Sequence, residues 1–141
     1  LIGSEGRGIK EVEDLLYRQS GLLGVSGISA DSRELIESDR LEARQALDLF
    51  TFRIAAEVSG IATTLCGLDA IVFTAGIGEH QPWIRAEVCR RLMWLGIDLD
   101  PATNKQNAAI ISSPASRVAA LVIPTDEERV IADEALSCLN G

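Results

Sequence analysis

The stretch Phe73–His80, FTAGIGEH, marks the point where a buried strand stops and a helix begins. The apolar run Asp69–Ala75 is rich in β-branched residues, which is typical of a strand that is covered on both faces. The residues after it, QPWIRAEVCRRLMWLG, have helical spacing, and Pro82 suits the first turn of a helix. This strand–turn–helix pattern predicts an α/β fold, in one layered domain.

Two interpretations of the turn TAGIGE remain open from its pattern alone. The turn after a parallel strand is where α/β sheets place ligands, and Gly76 and Gly78 would let a ligand approach the backbone closely. The alternative is a tight corner that needs glycine for a positive φ. A dinucleotide fingerprint would require glycine at position 81, which is Gln81, and the chain has no G-K-[ST] phosphate loop.

The rest of the chain alternates helices with apolar runs. Helices are predicted over Gly8–Arg18, Arg40–Cys66 and Asp126–Leu139, besides a shorter one that Asp31 caps. The glycine-rich SGLLGVSGIS, residues 20–29, is interpreted as a short strand or extended loop with close backbone approaches. Residues 108–124, AAIISSPASRVAALVIP, are interpreted as two strands joined through SPAS.

Composition restricts the partners. The net charge is 13 − 21 = −8, which argues against nucleic acid and anionic membrane surfaces, because both call for a basic face. The apolar stretch Val58–Gly78 is broken by CGLDA, so it predicts helix, turn and strand and not a membrane span. Three scattered cysteines and one histidine fit a reducing compartment and no zinc site. The abrupt start at Leu1 predicts that the chain is a piece of something longer.

Two further motifs have a structural and a functional interpretation each. Asp31 and Arg33 by themselves favour a helix cap with a surface charge, and a ligand contact is the alternative. In PTDEE, Thr125 and Glu128 have the spacing of a capping box, whereas a carboxylate there could hold Mg²⁺ together with phosphate oxygens. His80 is a polar cap or an acid–base or adenine contact.

Taken together and in order, three motifs resemble one family. The segments SGLLGVSGIS-DSR, LDAIVFTAGIGE and VIPTDEE resemble the C-terminal part of the acetate kinase family, over about Glu11 to Leu139. Propionate and butyrate kinases are close relatives with the same motifs. The resemblance implies a ribonuclease-H-like domain of the acetate and sugar kinase, heat-shock ATPase and actin superfamily. Residues 1–141 would be most of the second domain, and the first domain would be absent.

The resemblance also implies roles for individual residues. The adenosine end of ATP is expected to contact Asp31, Ser32 and Arg33. The second nucleotide loop is expected at Gly76, Ile77, Gly78, Glu79 and His80. The family is expected to carry Asn where this chain has His80, whose ring could replace the amide hydrogen bond. The magnesium-linked glutamate is expected to be Glu127.

The activity that the resemblance implies is transfer of the ATP γ-phosphoryl to acetate, which gives acetyl phosphate and ADP. Such an enzyme is Mg²⁺-dependent, cytoplasmic and homodimeric, and it takes part in acetyl-CoA biosynthesis. The family's acid-binding arginines and its catalytic Asp and His lie upstream, so no catalytic residue is expected in this chain, which should be inactive alone. Two alternatives remain: another short-chain carboxylate as acceptor, or a non-catalytic α/β module used for oligomerisation.

Overall fold

A computed structural model describes residues 8–126, 129, 135, 136 and 138 of the 141-residue chain. The chain divides into two compact units, residues 1–61 and 62–141. No helix among the described residues is long and apolar enough to cross a membrane. The predicted helix Asp126–Leu139 lies for the most part outside the described residues.

The first unit is helical. It holds α1 (Ile9–Arg18), α2 (Gly21–Ser26), α3 (Ser32–Glu37) and most of α4 (Leu41–Thr64). The predicted first and long helices are therefore confirmed to within two residues at each end. At 24 residues, α4 is about 36 Å long.

The prediction of a strand or loop over residues 20–29 is wrong, because Gly21–Ser26 is helical. Glycine serves this helix in two ways. A Cβ on Gly24 would lie 2.7 Å from the Gln19 carbonyl oxygen, which is the close backbone approach that the glycines indicated. Gly27 ends the helix at φ +63°, in the left-handed region that favours glycine, and its N–H donates to the Leu23 carbonyl at 2.7 Å.

The buried positions of α4 are mostly small residues. Leu47 is buried, but Ile61 is 57% exposed. Thr51 is fully buried and satisfies its hydroxyl by donating to the Leu47 carbonyl at 2.9 Å. The other buried positions of the helix are Ala43, Ala46, Ala55 and Ala62. Alanine therefore makes up most of the buried positions of α4.

The second unit is built on a parallel strand pair. It holds β1 (Ala70–Phe73), α5 (Ala75–His80), α6 (Pro82–Arg91), α7 (Pro101–Lys105) and β2 (Ala119–Val122). The register pairs Ala70 with Ala119 and Phe73 with Val122. The core is formed by Ile71, Phe73, Ile84, Val88, Cys89, Leu92, Ile97, Ile111, Val118, Ala120 and Val122.

Two details of this unit differ from prediction. The apolar run does not stay a strand to Ala75, because α5 starts there, and Val72 is 47% exposed, so one face of β1 is open among the described residues. The segment before SPAS forms isolated antiparallel bridges, Leu99–Ser112 and Ile110–Leu121, and not a full strand. The second predicted strand of that pair is β2, and its parallel partner is β1.

Candidate functional site

The candidate site is the edge of the sheet where both parallel strands end. β1 leads into α5 after Thr74, and β2 leads into the segment Ile123–Asp126. The Ile123 N–H donates to the Phe73 carbonyl at 3.0 Å, so the two exits begin side by side. The carboxyl edge of a parallel sheet is the usual ligand position in α/β proteins. The sequence motifs GIGEH and PTD are thus neighbours in space.

The two glycines of α5 differ in whether the surrounding packing requires a glycine. A Cβ on Gly78 would lie 3.1 Å from the carbonyl carbon of Phe73, so close packing of α5 on β1 explains this glycine. A Cβ on Gly76 would meet nothing within 4 Å, and Gly76 does not have a positive φ. The residue in the left-handed region is Ala75, at φ +57°. Neither glycine has the positive φ that the corner interpretation required, so that interpretation is wrong in this respect. Close packing explains Gly78, and Gly76 has neither reason.

Glu79 ties the two strand exits together. Its Oε1 accepts hydrogen bonds from the Thr125 backbone N–H at 2.9 Å and from the Thr125 hydroxyl at 3.1 Å. The backbone hydrogen bond from Thr125, with the hydroxyl, holds the pKa of the Glu79 carboxyl below its usual range. The Thr125 hydroxyl thus donates to Glu79.

Asp126 makes a hydrogen bond of the helix-capping type. Its Oδ1 accepts from the Arg129 backbone N–H at 3.0 Å. The capping partner Glu128 and the predicted metal ligand Glu127 lie outside the described residues. Within the described part of the chain, no cluster of three or more His, Cys, Asp or Glu could hold a metal ion.

The remaining residues of the predicted loop are accessible. Ile77 is 39% exposed, which is high for an isoleucine, and His80 is exposed at the end of α5. Trp83 is 42% exposed and Trp94 is 65% exposed. The exposed Ile77 side chain therefore offers apolar area beside the backbone of α5, which suits a flat organic ligand.

One residue of this region was not predicted to matter. Arg85 is fully buried, and its Nη1 donates to the carbonyl oxygens of Gly78 and Glu79, both at 2.8 Å. Its position carries a signal that could have been used. Arg85 has helical spacing with the buried Val88 and Leu92, so a cation was placed on the core face of α6.

The other predicted segment, Asp31 to Arg33, belongs to the first unit and is described there by itself. Asp31 caps α3 by accepting from the Arg33 backbone N–H at 2.9 Å. The same carboxylate receives the Arg33 Nε at 3.0 Å and Nη2 at 2.5 Å, while Ser32 is buried. Hydrogen bonds to Arg33 lower the pKa of Asp31 to about 2. The Arg33 side chain stays 74% exposed, so its planar group is oriented and accessible.

Serine side chains hold the chain that precedes this cap. Ser26 Oγ accepts from the Ile28 N–H at 3.0 Å, and Ser29 Oγ accepts from the Asp31 N–H at 3.0 Å. Such side-chain turns compete with regular secondary structure, which explains why α2 stops before this segment. The serines of VSGIS thus order the approach to Asp31.

Comparison with known proteins shows which family this chain resembles. Residues 1–133 match the acetokinase family. The acetate kinase of Rhodopseudomonas palustris (strain TIE-1) is 55% identical over 125 residues, which cover 87% of this chain and 31% of that protein. The chain spans about a third of the length of the curated relatives that it matches.

Solved structures agree with the sequence match. The acetate kinase of Porphyromonas gingivalis is 36% identical with a TM-score of 0.84, over 99% of this chain and 36% of that one. A propionate kinase from Francisella tularensis is 35% identical with a TM-score of 0.84, over 93% and 34%. These matches confirm the predicted fold class, because the chain has the α/β fold of the corresponding part of these kinases.

Proposed function

Because the chain belongs to the acetokinase family, we propose that it forms most of the C-terminal, nucleotide-binding domain of a two-domain acetate kinase. The whole enzyme would transfer the γ-phosphoryl group of ATP to acetate, giving acetyl phosphate and ADP. The acid-binding arginines and the catalytic Asp and His of such an enzyme are expected in its other part. The 141-residue chain alone is therefore expected to bind nucleotide without catalysis.

The observation that carries the nucleotide assignment is the open space at Gly76. Neither backbone angle nor packing requires a glycine there, since a Cβ would meet nothing within 4 Å. A ligand that lies against the backbone gives the missing reason. The strained φ of Ala75, directly before it, is a second indication, because such backbone outliers concentrate at ligand sites.

In this proposal Gly76–His80 holds the adenosine end of ATP against exposed backbone. The apolar surface of Ile77 suits the flat base, and the exposed His80 ring offers a hydrogen bond where an amide is expected in relatives. The contact expected at Asp31, Ser32 and Arg33 belongs to the first unit and is proposed separately from the Gly76–His80 contact. The Arg33 guanidinium is flat, oriented by Asp31 and accessible, and such a group stacks well on an aromatic base.

The chemistry that this chain contributes is positioning. Phosphoryl transfer to a carboxylate needs little covalent participation from the protein, so orienting the nucleotide supplies much of the rate. Glu127, which lies outside the described residues, would hold Mg²⁺, an ion that proteins bind through one or two carboxylates together with phosphate oxygens. When bound, Mg²⁺ neutralises phosphate charge. The residues of this chain bind and orient the nucleotide; they do not move protons.

Propionate or butyrate kinase is the second candidate function. The structural match to a propionate kinase is as good as that to an acetate kinase, with a TM-score of 0.84 in both cases. The acceptor acid is expected to bind the part of the enzyme that lies upstream, so both candidates use this chain in the same way. The short-chain carboxylate would be identified by comparing acids in the whole enzyme.

A homodimer in a reducing, cytoplasmic compartment completes the proposal. Cys66, Cys89 and Cys138 are all free thiols. Large apolar side chains remain exposed on α4, among them Leu49 at 44% and Phe52 at 51%, and a second copy of the chain is the proposed cover. Analytical ultracentrifugation should show a dimer that Phe52→Asp dissociates. A monomeric wild type would contradict this part.

The experiment that tests the function is calorimetric titration of Mg-ADP into the chain. Millimolar affinity is expected, about −4 kcal/mol, because phosphate contacts of the other domain are missing. Gly76→Val should abolish binding by filling the open space. Gly60→Val is the matched control, since a Cβ on this helical glycine also meets nothing within 4 Å.

Three outcomes contradict the proposal in different parts. An unliganded wild type contradicts nucleotide binding by this chain, and leaves the non-catalytic oligomerisation module as the better account. Equal binding by Gly76→Val contradicts the loop assignment. Acetyl phosphate formation by the isolated chain, detected as the hydroxamate, contradicts the expectation that the chain lacks catalytic residues.

A further inference from the structure

Arg85 is a buried cation whose hydrogen-bonding capacity is fully used by neutral oxygens. Its Nε donates to Asn104 Oδ1 at 2.7 Å, and its Nη2 donates to the Asn104 carbonyl at 2.7 Å and to Asn107 Oδ1 at 2.6 Å. Its Nη1 donates to the carbonyls of Gly78 and Glu79 at 2.8 Å. All five N–H groups of the guanidinium are therefore paired.

This arrangement is costly for stability alone. Burying a charge without an opposite charge carries a large desolvation penalty, and an apolar side chain of similar volume commonly fills such a position at lower cost. Each of the five acceptors of Arg85 is an amide or peptide oxygen. The benefit of keeping arginine must lie in the geometry that its donors impose.

The groups that Arg85 holds define that geometry. Gly78 and Glu79 are in the last turn of α5, where carbonyls lack helical partners, so a cation there satisfies them. The same guanidinium reaches α7 through Asn104, whose side-chain amide in turn donates to the Pro82 carbonyl at 2.9 Å. Residues 76–80 of α5 are thereby tied by hydrogen bonds to α6 and α7.

We propose that Arg85 is a positioning residue for nucleotide binding, which acts through the carbonyls of Gly78 and Glu79 and never touches the ligand. This inference rests on the proposed function and deepens it. Fixing Glu79 also fixes its carboxylate toward Thr125, so one buried side chain sets the geometry of both strand exits. Loss of the Arg85 hydrogen bonds disorders residues 76–80, although the residues that contact the ligand are unchanged.

Three variants weaken the hydrogen bonds of Arg85 to different degrees. Arg85→Met removes every donor, and Arg85→Lys keeps the charge with fewer and differently placed donors. Asn107→Gly removes one acceptor; glycine tolerates the φ of +52° that Asn107 adopts on the surface. This mildest variant keeps the test valid even where Arg85→Met fails to fold. The control is Val88→Ala, a cavity one helical turn away in the same core.

The measurements are Mg-ADP affinity by calorimetry and amide hydrogen exchange at residues 76–80. Each variant is measured at the same interval below its own melting temperature. Arg85→Lys should weaken binding about tenfold and Asn107→Gly about threefold, as expected for lost or strained charged hydrogen bonds. Both should speed exchange at residues 76–80. Val88→Ala should lower the melting temperature and leave affinity within about twofold.

The two levels of the account fail differently. Wild-type chain that does not bind Mg-ADP overturns the proposed function and this inference with it. Wild-type binding that Arg85→Lys and Asn107→Gly leave intact overturns the inference alone. Weakening by Val88→Ala equal to that by Arg85→Lys, at equal stability, also overturns it, because affinity would then follow overall stability and not the position of the loop.

Discussion

Alanine at Gly78 and at Gly76 should change the stability of the second unit in opposite directions. At Gly78 the new Cβ would lie 3.1 Å from the Phe73 carbonyl carbon and 3.4 Å from its Cα. These are strand backbone atoms, which cannot move aside as the end of a side chain would. Overpacking of this kind costs about 1–3 kcal/mol, from which the helical preference of alanine over glycine recovers about 0.5–1 kcal/mol.

At Gly76 only the favourable contribution is present. A Cβ there meets nothing within 4 Å, so Gly76→Ala should raise the free energy of unfolding by up to about 1 kcal/mol. The two single-methyl variants, two residues apart in one short helix, should therefore differ by about 2 kcal/mol. The difference between them is more informative than either value, because composition and helix are the same.

Urea unfolding followed by tryptophan fluorescence measures this difference. Both tryptophans of the chain, Trp83 and Trp94, belong to the second unit, so the signal reports on the part that contains α5. With a slope of about 1–3 kcal/mol per molar urea, the midpoints should be separated by about 1 M. Equal midpoints, or a lower midpoint for Gly76→Ala than for Gly78→Ala, would refute the assignment of the two glycines.

Three further predictions concern ionisable groups. Carbon-detected NMR should place the Asp31 midpoint near pH 2, and Arg33→Gln should move it up toward the usual 3.8; a wild-type midpoint near 3.8 would refute the ion pair. Because a lowered pKa stabilises the ionised, folded form, this contribution is present above pH 3.8 and disappears as pH falls toward 2. The amide signal of Thr125 should titrate with a midpoint below 4.5, and a Glu79→Gln chain should lack this titration; a midpoint at or above 4.5 would contradict the tether. Burial raises the pKa of Cys89 to about 12, so at pH 8 an aromatic disulfide reagent should modify the two exposed thiols quickly and Cys89 only on unfolding; fast reaction of all three would contradict its burial.

Local patterns predicted most elements of the fold. The strand before GIGEH and the helix after Pro82 follow from hydrophobic run length and helical spacing, and Asp31 was correctly expected to cap a helix. The failures have physical causes. Residues 21–26 of SGLLGVSGIS form a helix, with a close approach at Gly24 and a left-handed cap at Gly27, and the apolar content of the segment does not reveal these features.

The site was predicted in outline and missed in its internal connections. The motifs predicted that GIGEH lies at the end of a parallel strand, which the register of β1 and β2 confirms. The pairing of Glu79 with Thr125 joins residues 46 positions apart, and that of Arg85 with Asn104 joins residues 19 apart. Such contacts depend on tertiary packing, so local sequence patterns do not predict them. The roles of the predicted nucleotide contacts stay predictions.

The most direct test of nucleotide binding is an NMR titration of the ¹⁵N-labelled chain with Mg-ADP. The account predicts saturable shifts of the amides of Gly76–His80, with one dissociation constant, and their disappearance in Gly76→Val but not in Gly60→Val. Shifts confined to other surfaces, or unchanged shifts of these amides in Gly76→Val, would contradict the claim that this loop holds the nucleotide.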